Sequence, residues 1–420
     1  MNKDLKQLLS QQQHPLNVIY VSSYIPRKCG IATYTKDLTN AINLLNSRSL
    51  AEILTVSRSD EEEGDYPWEA KFKIAQDDLA TYLSAADYVN QSNADLVVLQ
   101  HEFGLFGGEH GEYILHFAEA LECPLVTTFH TVTGETEGKN TEILKRLANR
   151  SQAIIVMMED VANKLVDIYE VPAEKIVIIP HGVPDIAFNS SAKSKKKRQL
   201  TDRLVLGNIN LLDPNKGIEY ALEAVSIIAQ KYPEVLYTII GQTHPVLKSR
   251  EGEKYRNFLK KRIRELNISN NVRFINEYLP LADVIDWLKT IDIYITPYLE
   301  PKQVTSGALA YAIGAGKACI STPYIYANEV LADDRGIIVP FRDAEAIAKA
   351  VIELVENPEQ KHAMERAAYR FGRLMTWPSI AQSHLNLFRT VLNNYQAALL
   401  AATSVSADTP SDNPQPSAQH

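Results

Sequence analysis

The sequence predicts an α/β protein built from two doubly wound, Rossmann-like domains in tandem. Short apolar runs alternate with longer amphipathic segments along most of the 420 residues, which is the pattern of βα units around a parallel sheet. This pattern occurs twice, with a polar interruption between the two occurrences. A chain of this length is too long to fold around one typical hydrophobic core, which independently favours two domains.

The strands of each half are predicted from short apolar runs bounded by polar residues. In the first half these runs are NVIYVS, AEILTVS, ADLVVLQ, PLVTTFH, AIIVM and KIVIIPHGV, with helices expected between them, for example at 35–45 and 111–121. In the second half they are RLVLGNINL, VLYTIIG, VRFINEY, DIYITPY and KACIST, with helices expected for example at 218–231 and 253–266.

Changes in composition give the expected domain boundaries. A linker is expected where apolar periodicity stops and Ser and Lys accumulate, and its basic run KSKKKR, residues 193–198, is interpreted as solvated. The last residues are rich in Ser, Pro and Asp and are expected to be disordered. The predicted division is an extension at 1–16, a first domain at 17–185, a linker at 186–202, a second domain at 203–375, a helix at 376–397 and a disordered tail at 398–420.

Composition excludes several classes of protein. The formal net charge of −8 argues against nucleic acid as the main partner, because the chain has no overall basic field. The cysteines Cys29, Cys123 and Cys319 match neither a disulfide framework nor a zinc spacing, which favours a reducing, cytoplasmic environment. We expect neither a signal peptide nor a membrane span, since no long apolar stretch is present.

The loop PRKCGIAT after the first strand admits two interpretations. It is either an ordinary strand-to-helix turn, with Gly30 present for backbone geometry, or an anion cradle at a helix N-terminus that Arg27 and Lys28 reinforce. A single glycine loop is a weak motif, so the loop by itself favours the ordinary turn.

Two further loops of the first domain follow apolar runs directly. QHEFGLFGGEHG contains His101 and Glu102, and TFHTVTGE contains His130. The spacing of these side chains fits no established metal-ligand signature, so no metal site is predicted. His130 either faces the predicted cleft or hydrogen-bonds the backbone and fixes the turn.

The second domain has two helix starts suited to an anion. Lys216 and a glycine stand at the first helix entry, where an ammonium group and free N–H groups together attract phosphate. Thr305, Ser306 and Gly307 open a second helix and offer capping and backbone donors. Two such sites in one domain predict binding of a diphosphate.

Over residues 17–395 the chain resembles the retaining nucleotide-sugar glycosyltransferases of the GT-B fold, of the group 1 type, in which two Rossmann-like domains enclose a deep cleft. The order and spacing of several motifs carry this resemblance: PRKCGIATYT, TFH, IPHGV, DPNKGIEYALEA, DIYITPY, AIGAGKACISTP, GIIVPFRDAEAIAKAV and TWPSIA. Each motif is loose when taken alone.

The resemblance implies roles for these residues. Gly30 would approach the donor phosphate and the acceptor, and His130 would contact the donor sugar near the reacting carbon. Lys216 would hold the diphosphate, and the amides around 305–307 would complete its site. The acceptor would meet the cleft loops that carry Arg27, Lys28, His101 and Glu102, and the helix from residue 376 would return to the first domain.

The sequence departs from the family pattern at two places. Leu211 stands where the family commonly has an Arg, five residues before the phosphate-binding Lys. Gln303 and Tyr311 stand where the family usually has two glutamates, while Glu300 is displaced by three residues. Gln303 can still bond sugar hydroxyls, whereas Tyr311 cannot replace a carboxylate on a ribose diol, although both remain candidates beside Glu300.

The resemblance leads us to expect a cytoplasmic transferase. It would move a hexosyl group from a UDP- or GDP-linked sugar to a hydroxyl of a glycan, a lipid-linked or a small-molecule acceptor, with retention and without a metal or another cofactor. Weak peripheral contact with a membrane and the oligomeric state stay open. The alternatives are a nucleotide-sugar epimerase or glycosyl phosphorylase of the same fold, or a degenerate sugar-nucleotide binding protein.

Overall fold

The computed structural model describes residues 15–58 and 65–407 and contains two parallel sheets. The first sheet has seven strands in the order β3-β2-β1-β4-β5-β6-β7. Its strands are β1 (Val18–Ser22), β2 (Glu52–Ser57), β3 (Ala70–Ala75), β4 (Leu96–His101), β5 (Leu125–Phe129), β6 (Ala153–Val156) and β7 (Ile176–Ile178). Strands β1, β4 and β5 are buried at every residue because helices cover both faces of the sheet.

The second sheet has six strands in the order β10-β9-β8-β11-β12-β13. Its strands are β8 (Leu204–Ile209), β9 (Val235–Ile240), β10 (Val272–Ile275), β11 (Ile293–Thr296), β12 (Ala318–Ser321) and β13 (Ile337–Ile338). Neighbouring strands pair in parallel in both sheets, with partners such as Val97 and Leu125 in the first sheet or Ile293 and Ala318 in the second. The predicted fold of two tandem Rossmann-like domains is therefore confirmed.

Helices connect the strands on both faces of each sheet. The first domain contains α1 (Gly30–Leu45), α2 (Leu79–Asn90), α3 (Tyr113–Ala120), α4 (Lys139–Arg150) and α5 (Glu159–Asp167), and α6 (Ala192–Lys197) follows it. The second contains α7 (Ile218–Lys231), α8 (Pro245–Glu251), α9 (Lys254–Glu265), α10 (Leu281–Thr290), α11 (Gly307–Gly314), α12 (Ile325–Val330), α13 (Ala344–Glu356) and α14 (Pro358–Arg373). A last helix, α15, spans Trp377–Ala407.

Two strands were not predicted. Strand β3 lies at the edge of the first sheet and is largely open to solvent on one face, so its residues alternate with Lys instead of forming an apolar run. Strand β13 pairs through only two residues, which is too short for a recognisable pattern. Both omissions lie at sheet edges, where burial imposes the weakest sequence signal.

The linker is not the freely solvated segment that its composition predicts. It contains α6, and Lys195 forms an ion pair with Asp292 in which both side chains are mostly buried. The guanidinium of Arg198 lies 3.9 Å from the centre of the Trp287 ring on α10. The basic run packs against the second domain because that domain presents carboxylates and an aromatic face to it.

The C-terminal helix is longer than predicted. Helix α15 continues through residues 398–407, where disorder was expected, and the rest of that predicted tail lies outside the described residues, as does most of the predicted N-terminal extension. The helix packs along α1 of the first domain and buries Ile380, Leu385 and Phe388. Within residues 15–58 and 65–407, no helix has both the length and the apolar character needed to cross a membrane.

Candidate active site

The candidate site lies where the carboxyl ends of the two parallel sheets face each other, as the contact between Thr305 and Met157 indicates. In each sheet the strand order reverses beside the first strand, between β1 and β4 and between β8 and β11, and such a crevice is where α/β sheets bind ligands. The chain passes between the domains twice, and the two passages are bonded to each other. The amide of Val183 donates to the carbonyl of Met375 at 2.8 Å, and the amide of Trp377 donates to Val183 at 3.0 Å.

Lys216 lies at the entrance of α7, where the sequence predicts a phosphate-binding position. The sequence Asp-Pro-Asn-Lys-Gly forms a 3-10 turn in which the Asp213 carboxylate accepts from the Asn215 amide at 2.8 Å. Gly217 then takes a left-handed conformation, with φ of 59°, to start the helix. The Lys216 ammonium lies 4.0 Å from Asp213, and burial lowers the pKa of this lysine. An ammonium that is partly stripped of water and only loosely paired attracts an anion strongly.

The N-terminus of α11 supplies the second predicted anion site. Ser306 is the N-cap, and its hydroxyl accepts from the Leu309 amide at 3.3 Å, which leaves the amides of the first turn directed out of the helix. Thr305 reaches the first domain, where its hydroxyl lies 3.6 Å from the sulfur of Met157. A Cβ added to Gly307 would come within 3.0 Å of Nε2 of His181, so the glycine permits a close approach there.

The loop after β1 leads into α1 as predicted, but Gly30 is not needed for its backbone conformation. Gly30 is the first residue of α1, and Cys29 caps the helix by accepting from the Ala32 amide at 3.3 Å. No left-handed φ occurs at Gly30, and a Cβ added there would meet nothing within 4 Å. Lys28 is exposed, while Arg27 is half-buried and directs Nη1 to the Val56 carbonyl at 3.5 Å.

His130 stands at the end of β5 and is held in a defined tautomer. Its Nε2 donates to Oε1 of Gln100 at 2.8 Å, and its backbone amide donates to the His101 carbonyl at 3.0 Å. Burial lowers the pKa of His130 to about 3, so the imidazole is neutral near neutral pH and its Nδ1 is a hydrogen-bond acceptor. The ring meets Tyr34 edge-on, with 5.0 Å between ring centres.

His101 was predicted to lie in an acceptor loop, and that prediction is wrong. The residue ends β4, has no exposed surface and packs among Phe103, Phe106 and Phe129. Burial lowers the pKa of His101 to about 3, so it acts as a neutral member of the aromatic core. The sequence could not reveal this, because a histidine at a strand end suits a cleft and a core equally.

Glu102, the next residue, is positioned by contacts at the end of β5. Its carboxylate accepts from the Phe103 amide at 3.1 Å and from the Thr131 hydroxyl at 2.6 Å. Burial raises the pKa of this carboxyl group, although the two hydrogen bonds oppose the rise. The loops after β4 and β5 are therefore tied together beside His130.

The three residues near the expected glutamate positions differ in their exposure and in their hydrogen-bond partners. Glu300 is exposed and accepts from the Lys302 amide at 3.0 Å, while Gln303 is half-buried and donates to the Thr305 carbonyl at 2.8 Å. Tyr311 is half-buried in α11, and its hydroxyl donates to Oδ2 of Asp37 at 2.8 Å. Its polar group is thus occupied by the first domain.

Several residues at this domain junction were not predicted from the sequence. Asp37 and Thr33 lie one turn apart on α1, and Thr33 bonds the Tyr278 hydroxyl of the second domain at 2.7 Å. Tyr34 contacts His181 and Trp377, with ring centres 5.2 and 5.4 Å away. The sequence signal for this junction was the spacing of Thr33 and Asp37, two polar residues four positions apart just after the cleft loop. Within the described ranges, no three His, Cys, Asp or Glu side chains group as a metal site requires.

The pairing of two such sheets across a crevice places the chain in the GT-B fold class. Residues 190–371 match the family model of glycosyl transferases group 1, and residues 30–185 match that of glycosyltransferase family 4. Together the two matches cover most of the chain, which belongs to the group 1 glycosyltransferases.

Individual proteins resemble the chain at lower levels of identity. The phosphatidyl-myo-inositol mannosyltransferase of Mycolicibacterium smegmatis is 25% identical over 286 residues, which cover 65% of this chain and 67% of that protein. The sucrose-phosphate synthase of Thermosynechococcus elongatus superposes with a TM-score of 0.74 at 15% identity. The match covers 90% of this chain and 100% of the synthase chain. Anabaena HepE, solved with UDP and glucose, has a TM-score of 0.69 at 14% identity, with 89% and 100% covered.

Proposed function

We propose that the protein is a retaining hexosyltransferase that takes its sugar from a UDP- or GDP-linked donor and transfers it to an acceptor hydroxyl without a metal. The observation that carries the proposal is the presence of the Lys216 ammonium and the N-terminus of α11 at the same edge of the second sheet. Family membership supports glycosyl transfer, and the finer statements rest on the chemistry of these residues.

The departing diphosphate would be stabilised by fixed positive charge. The Lys216 ammonium is partly desolvated, and the first amides of α11 add the partial charge of a helix N-terminus. Donors that are already oriented before reaction stabilise developing charge without reorganising, and this is usually the largest catalytic contribution. The proposed absence of a metal rests on this supply of positive charge.

The transferred sugar would lie between the domains, next to His130. Because His130 is neutral and its Nε2 donates to Gln100, its Nδ1 can accept from a sugar hydroxyl. Gln303 would contribute neutral hydrogen bonds where the family usually has a carboxylate. The acceptor would enter past Glu102 and the loop that carries Arg27 and Lys28, and a carbohydrate or a lipid-linked sugar suits that open side.

The first experiment is a thermal-shift panel of UDP, GDP, UDP-glucose and GDP-mannose on the full-length protein. A donor at 100 times its dissociation constant should stabilise the fold by about 2.7 kcal/mol. Purified protein with the donor that binds should then release nucleoside diphosphate slowly without an acceptor. The anomeric configuration of the product tests retention, and activity in EDTA tests metal independence.

The outcomes separate the proposal from its alternatives. Conversion of the donor sugar without release of diphosphate would identify an epimerase, and release that requires phosphate and a glycan would identify a phosphorylase. Tight donor binding without turnover with any acceptor would favour the degenerate binding protein. The degenerate alternative is consistent with two features of α11: the Tyr311 hydroxyl already bonds Asp37, and the helix carries no carboxylate.

A further inference from the structure

Tyr298 follows β11 and lies under the predicted diphosphate site, although no motif of the sequence analysis gave it a role. The Lys216 ammonium lies 4.3 Å from the centre of the Tyr298 ring. This distance is within the range in which a cation is attracted to the negative face of an aromatic ring. The ring is almost fully buried, so the attraction operates away from bulk water.

The backbone explains why these two residues meet. The amide of Leu299 donates to the Asn215 carbonyl at 2.8 Å, which joins the Lys216 turn to the Tyr298 segment. A Cβ added to Gly217 would come within 2.1 Å of the Pro297 carbonyl oxygen, so the two segments are in close contact. The backbone of Lys216 is therefore held next to the segment that carries Tyr298.

Tyr298 is itself fixed by its neighbours. Its ring stacks on that of Tyr324, with centres 5.2 Å apart and planes inclined by 19°. Its carbonyl accepts from the Thr322 hydroxyl at 2.6 Å. Because both the ring and the backbone of Tyr298 are held in place, the ring can define the position of the Lys216 ammonium that contacts it.

The electrostatic environment of the hydroxyl of the same ring includes the residue that begins the second predicted anion site. Burial raises the pKa of Tyr298, and Ser306 and Asn210 act on its hydroxyl in the opposite direction. Ser306 is the N-cap of α11. The Tyr298 ring thus contacts the lysine through its face, and its hydroxyl is influenced by the N-cap residue of α11.

We propose that Tyr298 is a positioning residue that fixes the Lys216 ammonium, so that the ammonium and the N-terminus of α11 can bind the same diphosphate. The inference rests on the proposed function, because it assumes that Lys216 binds the diphosphate of the donor. A diphosphate has two linked phosphoryl groups, and its binding energy depends on whether two donors match their spacing.

The test compares binding of UDP with uridine and of GDP with guanosine by calorimetry, in wild type, Tyr298→Phe and Tyr298→Leu. Tyr298→Leu removes the ring face and should weaken diphosphate binding by about tenfold, within the range of a desolvated cation–π contact. Binding of the uncharged nucleoside should not change. Tyr298→Phe keeps the ring face and should rescue most of the lost affinity.

A second measurement avoids the packing defect that leucine could introduce. Phenylalanine and its fluorinated analogues at position 298 keep nearly the same volume while the negative face of the ring weakens. Diphosphate affinity should fall with each added fluorine at constant melting temperature. Lys216→Ala should abolish this trend, because the ring then has no cation to hold.

Two results would overturn the inference alone. One is an equal loss of nucleoside and diphosphate affinity in Tyr298→Leu, which indicates a purely structural role, and the other is an unchanged affinity along the fluorinated series. If wild type does not prefer the diphosphate over the nucleoside, the proposed function fails first and the inference fails with it.

Discussion

The Tyr311 hydroxyl donates a 2.8 Å hydrogen bond to Oδ2 of Asp37 and thereby joins α11 of the second domain to α1 of the first. Burial raises the pKa of the Asp37 carboxyl group, while the bond to Tyr311 and the charge of Lys36 oppose that rise. The residue at the position where the family usually has a ribose-binding glutamate is thus engaged in a contact between domains. Donor binding and domain contact are expected to compete for it.

Removing this bond should loosen the domain contact. Tyr311→Phe deletes one hydrogen bond to a carboxylate, which typically contributes about 1.5 to 3 kcal/mol. The expected result is a larger radius of gyration in small-angle scattering of the ligand-free protein. Tyr232→Phe is the matched control, because the Tyr232 hydroxyl bonds Glu356 at 3.2 Å entirely within the second domain. Equal radii for both variants would show that the Asp37 bond does not hold the domains together.

Lys216→Ala should weaken binding of the nucleoside diphosphate. Loss of a charged hydrogen-bond donor is expected to reduce affinity by about 10- to 100-fold, with turnover lowered as well. The melting temperature should fall only slightly, since the lysine pairs loosely with Asp213, although its contact with the Tyr298 ring is lost. Lys231→Ala, at the opposite end of α7, provides a control in which an exposed ion pair with Glu356 is lost. Unaltered affinity in calorimetry would remove Lys216 from the site.

Substitution of Gly30 distinguishes a catalytic role of the loop after β1 from a structural one. A Cβ at Gly30 meets no atom within 4 Å, so Gly30→Val should fold with an unchanged melting temperature. Turnover should fall far more than donor affinity if the diphosphate approaches this backbone when the domains close. Gly217→Ala is the contrasting variant, since its φ of 59° and the nearby Pro297 carbonyl predict a loss of stability. Normal turnover in a stable Gly30→Val protein would mean that the loop is only a bend.

The buried histidines predict acid sensitivity of the fold. Burial lowers the pKa of His130 to about 3 and that of His384 to about 4, below the ordinary value of 6.5. The unfolded chain therefore binds more protons than the folded one between these values, so stability falls as the pH drops below 6.5. Each such group should cost about 2 kcal/mol between pH 6.5 and pH 5.

Urea unfolding at pH 7 and pH 5 measures this effect. His384→Gln removes one of the titrating groups at a position in α15 where the ring donates only to the Ile380 carbonyl. Its loss of stability between the two pH values should be smaller than that of wild type. An identical pH dependence in both proteins would contradict neutral burial of His384.

The sequence by itself determined the fold class and the local form of both helix entrances at which anion binding is proposed. Alternating apolar and amphipathic segments define βα units because parallel strands are buried on both faces. Asp213, Lys216 and Gly217 encode a capped turn and a left-handed residue within a few positions, and Ser306 caps α11 in the same local way. Interactions this close in sequence leave a readable pattern.

Only the tertiary structure decided which partners these side chains have. Tyr311 and Asp37 are 274 positions apart, and the local sequence around either residue gives no indication of the other. His101 could have faced the cleft, and the basic linker could have stayed in water, until the surrounding aromatic rings and carboxylates were in place. Long-range contacts depend on how whole sheets and helices pack, and Tyr298 beneath Lys216 is a product of that packing.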